Sequence, residues 1–425
     1  MLRLALHWQI LIAIVLATVC GLWFGEDGQL LGVELIAVYR FLGTLFLNAL
    51  KMLIVPLVLS SIIVGVGSLQ QGADFQRLGL KTISFYLASS LVAILTGLLL
   101  VNLFTPGIID GQPAGTALHL SQNSAELDAL MQELEGRSAA DITDVFIRMV
   151  PPNVVEAAAS GEMLGLIFFG LLFGFYMARG DAPFRDTLLN FWQGVFDVMM
   201  RITMLVMRFA PLGVFGLVAK TVAATGFDAF QPLLVFFFTV LIALAIHAFL
   251  TLPLAMRLLA GVRPYRHLRN MSPALLTAFS TASSSASLPL TMKCVEQQSG
   301  VSNRTTSFVL PLGATINMDG TALYECVAAI FIAQAYGLDL SAAQQFTVVL
   351  VALLTSIGVA GIPAASLVAI TVILGVIGLP LEGIGLLLVT DRILDMLRTA
   401  VNVFSDSCGA VIIARSEGEP TRLGR

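Results

Sequence analysis

The stretch of sequence that decides the fold runs from residue 390 to residue 406 and reads TDRILDMLRTAVNVFSD. It belongs to an apolar segment, residues 382–414, that is long enough to cross a membrane. Beyond its first residue, Glu382, the segment nevertheless carries five charged residues: Asp391, Arg392, Asp395, Arg398 and Asp406. Each charge at the centre of a bilayer costs about 2.5–3.5 kcal/mol, so these side chains must face protein or a water-filled cavity.

Helical spacing brings most of these residues onto one face. Positions 391, 395, 398, 402 and 406 follow one another at intervals of three or four residues. At about 100° per residue they fall within an arc of roughly 80°. A buried polar stripe on a membrane helix predicts a site for a solute or an ion.

The composition indicates a polytopic membrane protein. The chain has 425 residues, of which 57% are hydrophobic and 12% charged, whereas soluble domains average about 25% charged residues. No basic tract accompanies the net charge of −4, so we expect no nucleic-acid partner. The four cysteines lack the spacing of a metal site, and we expect them to pack within the membrane.

Eight apolar segments are predicted to be transmembrane helices in an all-α polytopic membrane protein. They are residues 8–24, 41–67, 82–104, 162–178, 187–221, 230–256, 305–336 and 382–414. Two further stretches, 270–292 and 344–377, are interrupted by TASSS at 281–285 and by GVAGIP at 358–363. Serine runs and Gly-Pro clusters do not continue a helix, so these two predict re-entrant helical hairpins.

Lysine and arginine residues set the predicted orientation, because cytoplasmic loops carry an excess of them. Arginines and lysines flank the 270–292 hairpin on both sides, so it should enter and leave from the cytoplasm. The 344–377 hairpin has none and should enter from outside. We therefore expect both termini to be cytoplasmic in a multi-pass protein of the inner or plasma membrane.

Two opposed broken hairpins predict a cavity near the middle of the membrane. Irregular backbone at that depth is tolerated only where it lines a cavity or is buried in protein. Paired broken segments of opposite orientation indicate inverted repeats, which are typical of alternating-access transporters.

A second polar cluster follows the sequence GATINMDGT at 313–321 and continues to Glu325. Such residues at membrane depth predict an unwound turn, whose free carbonyls and carboxylate are hard oxygen ligands for Na⁺. The alternative is a glycine kink with Asn317 and Asp319 bonding a neighbouring helix. Glu325, near the middle of the membrane, is our candidate for a proton carrier.

The charges of these segments require ion coupling. Asp319, Glu325, Asp395 and Asp406 are opposed by Arg398 alone in the proposed core, and an acidic substrate would add to the excess. Burying unpaired charges is prohibitive. Either cations bind with the substrate or some carboxylates carry protons.

Arg398 and Asp395 together suit an amino acid with a second carboxylate. The planar guanidinium binds a carboxylate through two hydrogen bonds, and Asp395 could hold an ammonium group. The alternative is a structural ion pair between them, one turn apart. Helix N-termini at the hairpin tips would offer backbone N–H groups to the α-carboxylate.

At this point the chain resembles a known family. The motifs SSS at 283–285, NMDGT at 317–321, GIP at 361–363 and DMLRT at 395–399 are similar to those of the dicarboxylate/amino acid:cation symporter family. That family includes the excitatory amino acid transporters, neutral amino acid exchangers and archaeal aspartate transporters. The resemblance covers essentially the whole chain and is strongest over 271–415.

The resemblance implies an elevator-type homotrimer. Residues 1–80 and 106–229 would form a static trimerisation scaffold. Residues 81–105 and 230–425 would form a transport domain that moves across the membrane, with the outer hairpin as its extracellular gate.

The resemblance also implies a substrate site. Arg398 would bind the substrate side-chain carboxylate and Asp395 its amino group. Thr321, Asn402 and Thr399 would complete the site with the inner and outer hairpin tips at Ser283, Ser284 and Ile362.

Three sodium sites follow from the same resemblance, each with a different ligand set. The first would use Asp406 with the carbonyls of Gly313, Asn317 and Asn402. The second would use the carbonyls of Thr315, Met318, Ser356, Ile357 and Val359. The third would use Tyr86, Ser89, Ser90, Asn317 and Asp319.

Individual residues narrow the implied activity. Arg398 favours glutamate or aspartate over neutral amino acids, Asp406 favours Na⁺ over H⁺, and Glu325 matches the proton carrier of animal relatives. The expected cargo is therefore an acidic amino acid with Na⁺, together with H⁺ and without an organic cofactor. Relatives usually carry an arginine where this chain has Ala282 or Met396. Arg392 is the one remaining arginine that could take its place, so the resemblance leaves open whether K⁺ is counter-transported.

Four alternatives stand beside this prediction. Arg398 and Asp395 argue against a relative that transports a neutral amino acid or a C4-dicarboxylate. The predicted sodium ligands argue against a purely H⁺-coupled glutamate symporter. A membrane enzyme is unsupported because no nucleophile–base pair, metal cluster or nucleotide loop is evident. An ion channel would differ from a carrier in that its flux would not saturate with substrate.

Overall fold

A computed structural model describes residues 6–25, 27–30, 32–67, 73–117, 147, 150–160, 163–225, 230–358, 365–380 and 383–424. The chain forms long helices joined by short connections, with two small antiparallel β-ribbons. It is a multi-pass membrane protein, because four helical stretches are long and apolar enough to span a bilayer. These stretches are Arg77–Phe104, Gln231–Ala260, Asn303–Ala335 and Thr390–Ser416.

In the first half of the chain, the described residues form eight helices and the two ribbons. The helices are α1 (Leu6–Phe24), α2 (Leu35–Gly67), α3 (Ala73–Phe104), α4 (Ala114–Ala117), α5 (Val154–Ser160), α6 (Met163–Ala178), α7 (Ala182–Arg208) and α8 (Ala210–Thr225). The ribbons pair β1 (Gln29–Leu30) with β2 (Val33–Glu34) and β3 (Ile108–Ile109) with β4 (Gln112–Pro113). Helices α1, α2, α6, α7 and α8 pack mainly against one another.

The second half contains the polar segments. Its helices are α9 (Phe230–Ile246), α10 (Leu252–Ala255), α11 (Pro264–Thr281), α12 (Ser284–Lys293), α13 (Asn303–Ile316), α14 (Asp319–Ala335), α15 (Ala342–Gly358), α16 (Ala365–Ile377) and α17 (Ile384–Ser416). Three π-helical turns connect some of them: His247–Thr251, Met256–Ala260 and Cys294–Ser299. Helix α17 packs against α9, α11, α13 and α14.

The predicted segment 187–221 is one span in the sequence and two helices in the structure. Helices α7 and α8 meet at 52°, so the predicted segment is bent in the structure. Pro211 lies in the first turn of α8, where it has no N–H to donate to the preceding turn, and the helix breaks at Phe209. If this bent pair is one span, five stretches qualify; the total of eight crossings stays a prediction.

In the predicted inner hairpin, the helix breaks where the serine run predicted it. Helix α11 ends at Ala282, whose φ of 49° places an alanine in the left-handed region. Ser283 is extended, and its hydroxyl accepts a hydrogen bond from the Ala286 amide at 3.2 Å, which caps α12. The tip of the outer hairpin, with Val359 and Ile362, lies outside the described residues.

The unwound turn in the 305–336 segment is confirmed. Helix α13 ends at Ile316 and α14 begins at Asp319, with Asn317 and Met318 in non-helical conformations between them. All but one residue of α14 are buried. A Cβ at Gly320 would lie 2.9 Å from the Arg398 carbonyl oxygen, so glycine lets α14 approach the polar stripe of α17.

Candidate functional site

Arg398 lies at the centre of the polar stripe and is completely buried. Its Nη2 donates to Oδ1 of Asp391 at 3.1 Å and to Oδ1 of Asp395 at 3.0 Å. The guanidinium carbon is 3.8 Å from the centre of the Tyr324 ring, an arrangement that stabilises a desolvated cation. Among the described residues Nε and Nη1 have no hydrogen-bond partner. Buried donors without partners are rare, so these nitrogens fit a ligand that brings acceptors.

Asn402 links the stripe to the start of α14. Its Oδ1 accepts from the Gly320 amide at 2.8 Å, and its Nδ2 donates to the Thr321 hydroxyl at 3.1 Å. One turn earlier, the Thr399 hydroxyl donates to the Asp395 carbonyl at 2.8 Å. The structure therefore brings together the predicted substrate residues of α14 and α17.

Asp319 is the most heavily hydrogen-bonded carboxylate of the site. Its Oδ1 accepts from Ser90 at 2.6 Å, and its Oδ2 accepts from Ser89 at 2.5 Å and from Ser405 at 2.6 Å. Nε2 of His247 lies 2.9 Å from the same Oδ2. All of these residues are buried. Because hydroxyl groups are also acceptors, the serines could turn their lone pairs towards a cation beside the carboxylate.

Asp406 forms a second oxygen cluster next to the unwound turn. Its Oδ1 accepts from Nδ2 of Asn317 at 2.9 Å, while the Asn317 Oδ1 has no partner among the described residues. A Cβ at Gly313 would lie 2.5 Å from both Asp406 Oδ1 and the Tyr86 hydroxyl, so only glycine leaves this space open. A carboxylate, an amide oxygen and free backbone carbonyls are the hard ligands that Na⁺ requires.

Glu325 lies on α14, fully buried and away from the two oxygen clusters. The Thr355 hydroxyl of the outer hairpin donates to its Oε2 at 2.9 Å, and within the described part of the chain Oε1 has no partner. A buried carboxylate with so little compensation must be accompanied by a proton or a cation.

Two predicted sets are only partly placed. The Thr315 hydroxyl is exposed and donates to the Leu312 carbonyl at 2.8 Å, and Ser356 is buried in α15. Met318 lies in the unwound turn, and Ile357 belongs to the last turn of α15. With Val359 outside the described residues, the second sodium set stays a prediction. Ser283 and Ser284 lie at the inner break, where α12 begins.

Sequence reasoning missed His247, Ser405 and Tyr324. Ser405 stands next to Asp406 but lies off the arc of the stripe. Tyr324 stands next to Glu325, in a motif that was considered only for its oxygen ligands. His247 begins a π-helical turn 72 residues before Asp319, and no local pattern connects the two. The signal available was one histidine inside a membrane-length apolar segment, where ionisable residues are functional candidates.

Comparison with known proteins agrees with this geometry. Residues 6–416 match the sodium:dicarboxylate symporter family. The chain belongs to that family. The proton/glutamate-aspartate symporter of Escherichia coli is 36% identical over 415 residues, which cover 98% of this chain and 93% of that protein.

Relatives from other organisms give the same result. The proton/sodium-glutamate symport protein of Bacillus caldotenax is 36% identical over 418 residues, covering 98% of this chain and 96% of that protein. Excitatory amino acid transporter 3 of Mus musculus is 34% identical over 449 residues, covering 96% of this chain and 85% of that protein. The predicted resemblance to this family of symporters is confirmed, and with it transport rather than enzymatic function at family level.

Proposed function

We propose that this protein is a secondary active symporter of L-glutamate and L-aspartate, driven by Na⁺ and accompanied by H⁺. The observation that carries the proposal is the buried Arg398 with two unpartnered nitrogens, on the same helix face as Asp395. A cation and a carboxylate in this arrangement recognise an amino acid that has a second carboxylate. The names of the three relatives, each a transporter of glutamate, aspartate or excitatory amino acids, support the same substrate class.

Neutral amino acids and C4-dicarboxylates are the alternative substrates. A neutral amino acid would leave the Arg398 guanidinium without a carboxylate, and a C4-dicarboxylate would leave Asp395 without an ammonium group. In each case a buried charge would lose a ligand partner, and unpaired buried charges are costly. One methylene separates aspartate from glutamate, and the shape of the cavity decides between them.

Sodium coupling is supported by the two oxygen clusters around Asp319 and Asp406. Together with the unpartnered Asn317 side-chain oxygen they supply anionic and neutral oxygen ligands. Binding Na⁺ there would neutralise carboxylates that neither Arg392 nor Arg398 contacts. Of the three predicted sodium sets we favour two. One is the third set, with Tyr86, Ser89, Ser90, Asn317 and Asp319. The other is the first set, with Asp406, Gly313, Asn317 and Asn402.

A symporter coupled to protons alone is a second candidate. It is favoured by the name of the Escherichia coli relative and by the buried Glu325 with its single hydroxyl donor. In that case the oxygen clusters would hold the site together without transporting Na⁺.

The remaining architecture belongs to the same proposal. We infer eight membrane crossings, two re-entrant hairpins in inverted repeats and cytoplasmic termini. The protein would assemble as a homotrimer, with residues 1–80 and 106–229 as scaffold. Residues 81–105 and 230–425 would move between the two sides as an elevator, with the outer hairpin as gate.

Uptake into proteoliposomes tests the function. With an inward Na⁺ gradient we expect accumulation of labelled L-aspartate and L-glutamate, and little accumulation when choline replaces Na⁺. Uptake driven by a proton gradient alone would establish the proton-coupled candidate instead. If neither acid is transported but alanine or succinate is, the substrate class is neutral amino acids or C4-dicarboxylates instead.

The proton carrier is tested by Glu325→Gln. We expect wild-type uptake at fixed Na⁺ to fall as the external pH rises through neutrality, because the inward proton supply decreases. The variant keeps the shape of the side chain and cannot exchange a proton, so its uptake should be insensitive to pH. Glu296→Gln, at the cytoplasmic π-turn, is the matched control and should retain the wild-type pH profile. Equal pH profiles for wild type and Glu325→Gln would remove Glu325 from this role.

A further inference from the structure

Arg392 is a charged residue of α17 that lies outside the polar stripe but beside it. It precedes Asp395 by three residues, a spacing at which helical side chains are neighbours. Its Nη1 is 3.4 Å from Oδ2 of Asp395, and its side chain is only 11% exposed. Neither Arg398 nor the sodium clusters require this second arginine, so its burial needs an explanation.

The two arginines contact different carboxylate oxygens of Asp395. Nη2 of Arg398 contacts Oδ1 at 3.0 Å, and Nη1 of Arg392 contacts Oδ2. The oxygen that would receive the ammonium group of an amino acid is therefore already next to a guanidinium. Arg392 and a substrate ammonium compete for one carboxylate oxygen.

The formal charges of this group balance without a substrate. Asp391 and Asp395 are opposed by Arg392 and Arg398, which lie within hydrogen-bonding distance of them. Without Arg392, the carboxylates would outnumber the cations. Since an uncompensated buried carboxylate is costly, Asp395 needs a cation beside it in every state of the carrier.

The two arginines are held to different degrees. Arg398 rests on the Tyr324 ring and contacts both aspartates. Arg392 has one polar contact among the described residues, and its buried Nε has none. Arg392 can therefore leave Asp395 at the loss of one contact, whereas Arg398 is anchored on three sides.

We propose that Arg392 is a built-in counter-cation that occupies the ammonium subsite whenever no amino acid is bound. The guanidinium neutralises Asp395 in the empty carrier and withdraws when the substrate ammonium arrives. This inference rests on the proposed function. It makes Arg392 a positioning residue that favours return of the empty carrier and lowers the affinity for amino acids by competing with them.

Separating net uptake from exchange tests the proposal. Net uptake requires the empty carrier to return, whereas exchange of labelled for unlabelled L-aspartate does not. For Arg392→Gln we expect net uptake to fall about 10-fold while exchange changes less than about 2-fold, and K⁺ in the lumen should restore part of the net uptake. Arg392→Lys retains a cation and should keep most of the net uptake. Arg269→Gln, an exposed cytoplasmic arginine, is the matched control.

Binding to the purified protein gives a second test, in which the affinities for two ligands are expected to change in opposite directions. In Arg392→Gln, L-aspartate should bind more tightly, because its ammonium no longer displaces a guanidinium. Succinate lacks the ammonium group and depends on Arg392 to neutralise Asp395, so it should bind more weakly. A residue with a merely structural role would weaken both ligands.

The outcomes separate this inference from the proposed function. Wild-type exchange of L-aspartate tests the function, and the ratio of variant to wild type tests Arg392. Parallel losses of net uptake and exchange, or unchanged net uptake in Arg392→Gln, would overturn the counter-cation role and leave the function standing. Absence of wild-type exchange would overturn both.

Discussion

Uptake of L-aspartate and L-glutamate by Arg398→Ala is expected to be at least about 100-fold lower than that of the wild type. The substitution removes the only described cation with unpartnered nitrogens at the stripe, and with it the charge-assisted hydrogen bonds to the substrate carboxylate. Hydrogen bonds to charged groups contribute about 1.5–3 kcal/mol each, and every 1.4 kcal/mol is about a factor of ten in affinity. Initial uptake rates in proteoliposomes, measured over a range of substrate concentrations, check the prediction.

The same variant loses the partner of two buried carboxylates, so folding must be controlled. Arg398 pairs with both Asp391 and Asp395, and breaking a buried pair costs about 3–5 kcal/mol. Arg398→Lys keeps the charge and should fold, yet it cannot reproduce the planar fork and should remain impaired in uptake. A folded Arg398→Ala that transports acidic amino acids at the wild-type rate would make Arg398 a structural residue.

Local sequence patterns predicted the parts of the site that lie on single helices. Short polar motifs predicted both the unwound turn at Asn317 and Met318 and the helix break at Ala282 and Ser283. Both features lie where they were expected. The stripe on α17 was predictable because helical periodicity fixes which side chains share a face. The ion pair of Arg398 with Asp395 was one of two alternatives, and it is formed in the structure.

Contacts between distant helices could not be predicted in this way. His247 reaches Asp319 from a π-helical turn, which shifts the helical register, so periodicity does not indicate which way the side chain points. The pairing of Ser89 and Ser90 with Asp319 was expected only through the family resemblance, since more than 200 residues separate them. The bend at Phe209 was missed because hydropathy measures length and polarity and is insensitive to the single proline that follows.

Asp319→Asn is expected to uncouple uptake from Na⁺ while leaving the fold intact. The amide oxygen can take the place of Oδ2 and keep the contacts with Ser89, Ser405 and His247, and the Ser90 hydroxyl can turn to accept from the amide nitrogen. The geometry survives and the negative charge disappears. We expect the Na⁺ concentration for half-maximal uptake to rise at least about 100-fold, equivalent to about 3 kcal/mol. Uptake measured against NaCl, with choline chloride holding the ionic strength constant, gives this value.

Two further variants show whether charge or position of the carboxylate matters. Asp197→Asn, on the exposed face of α7, removes a charge far from the site and should leave the Na⁺ dependence unchanged. His247→Gln keeps an N–H donor near Asp319 but loses the ring that fixes it, so its Na⁺ dependence should lie between wild type and Asp319→Asn. If His247→Gln equals Asp319→Asn, orientation of the carboxylate controls Na⁺ binding. If Asp319→Asn binds Na⁺ like the wild type, the hydrogen bonds at Asp319 hold α3, α14, α17 and the π-helical turn at His247 together, and Asp406 is the remaining acidic ligand for the cation.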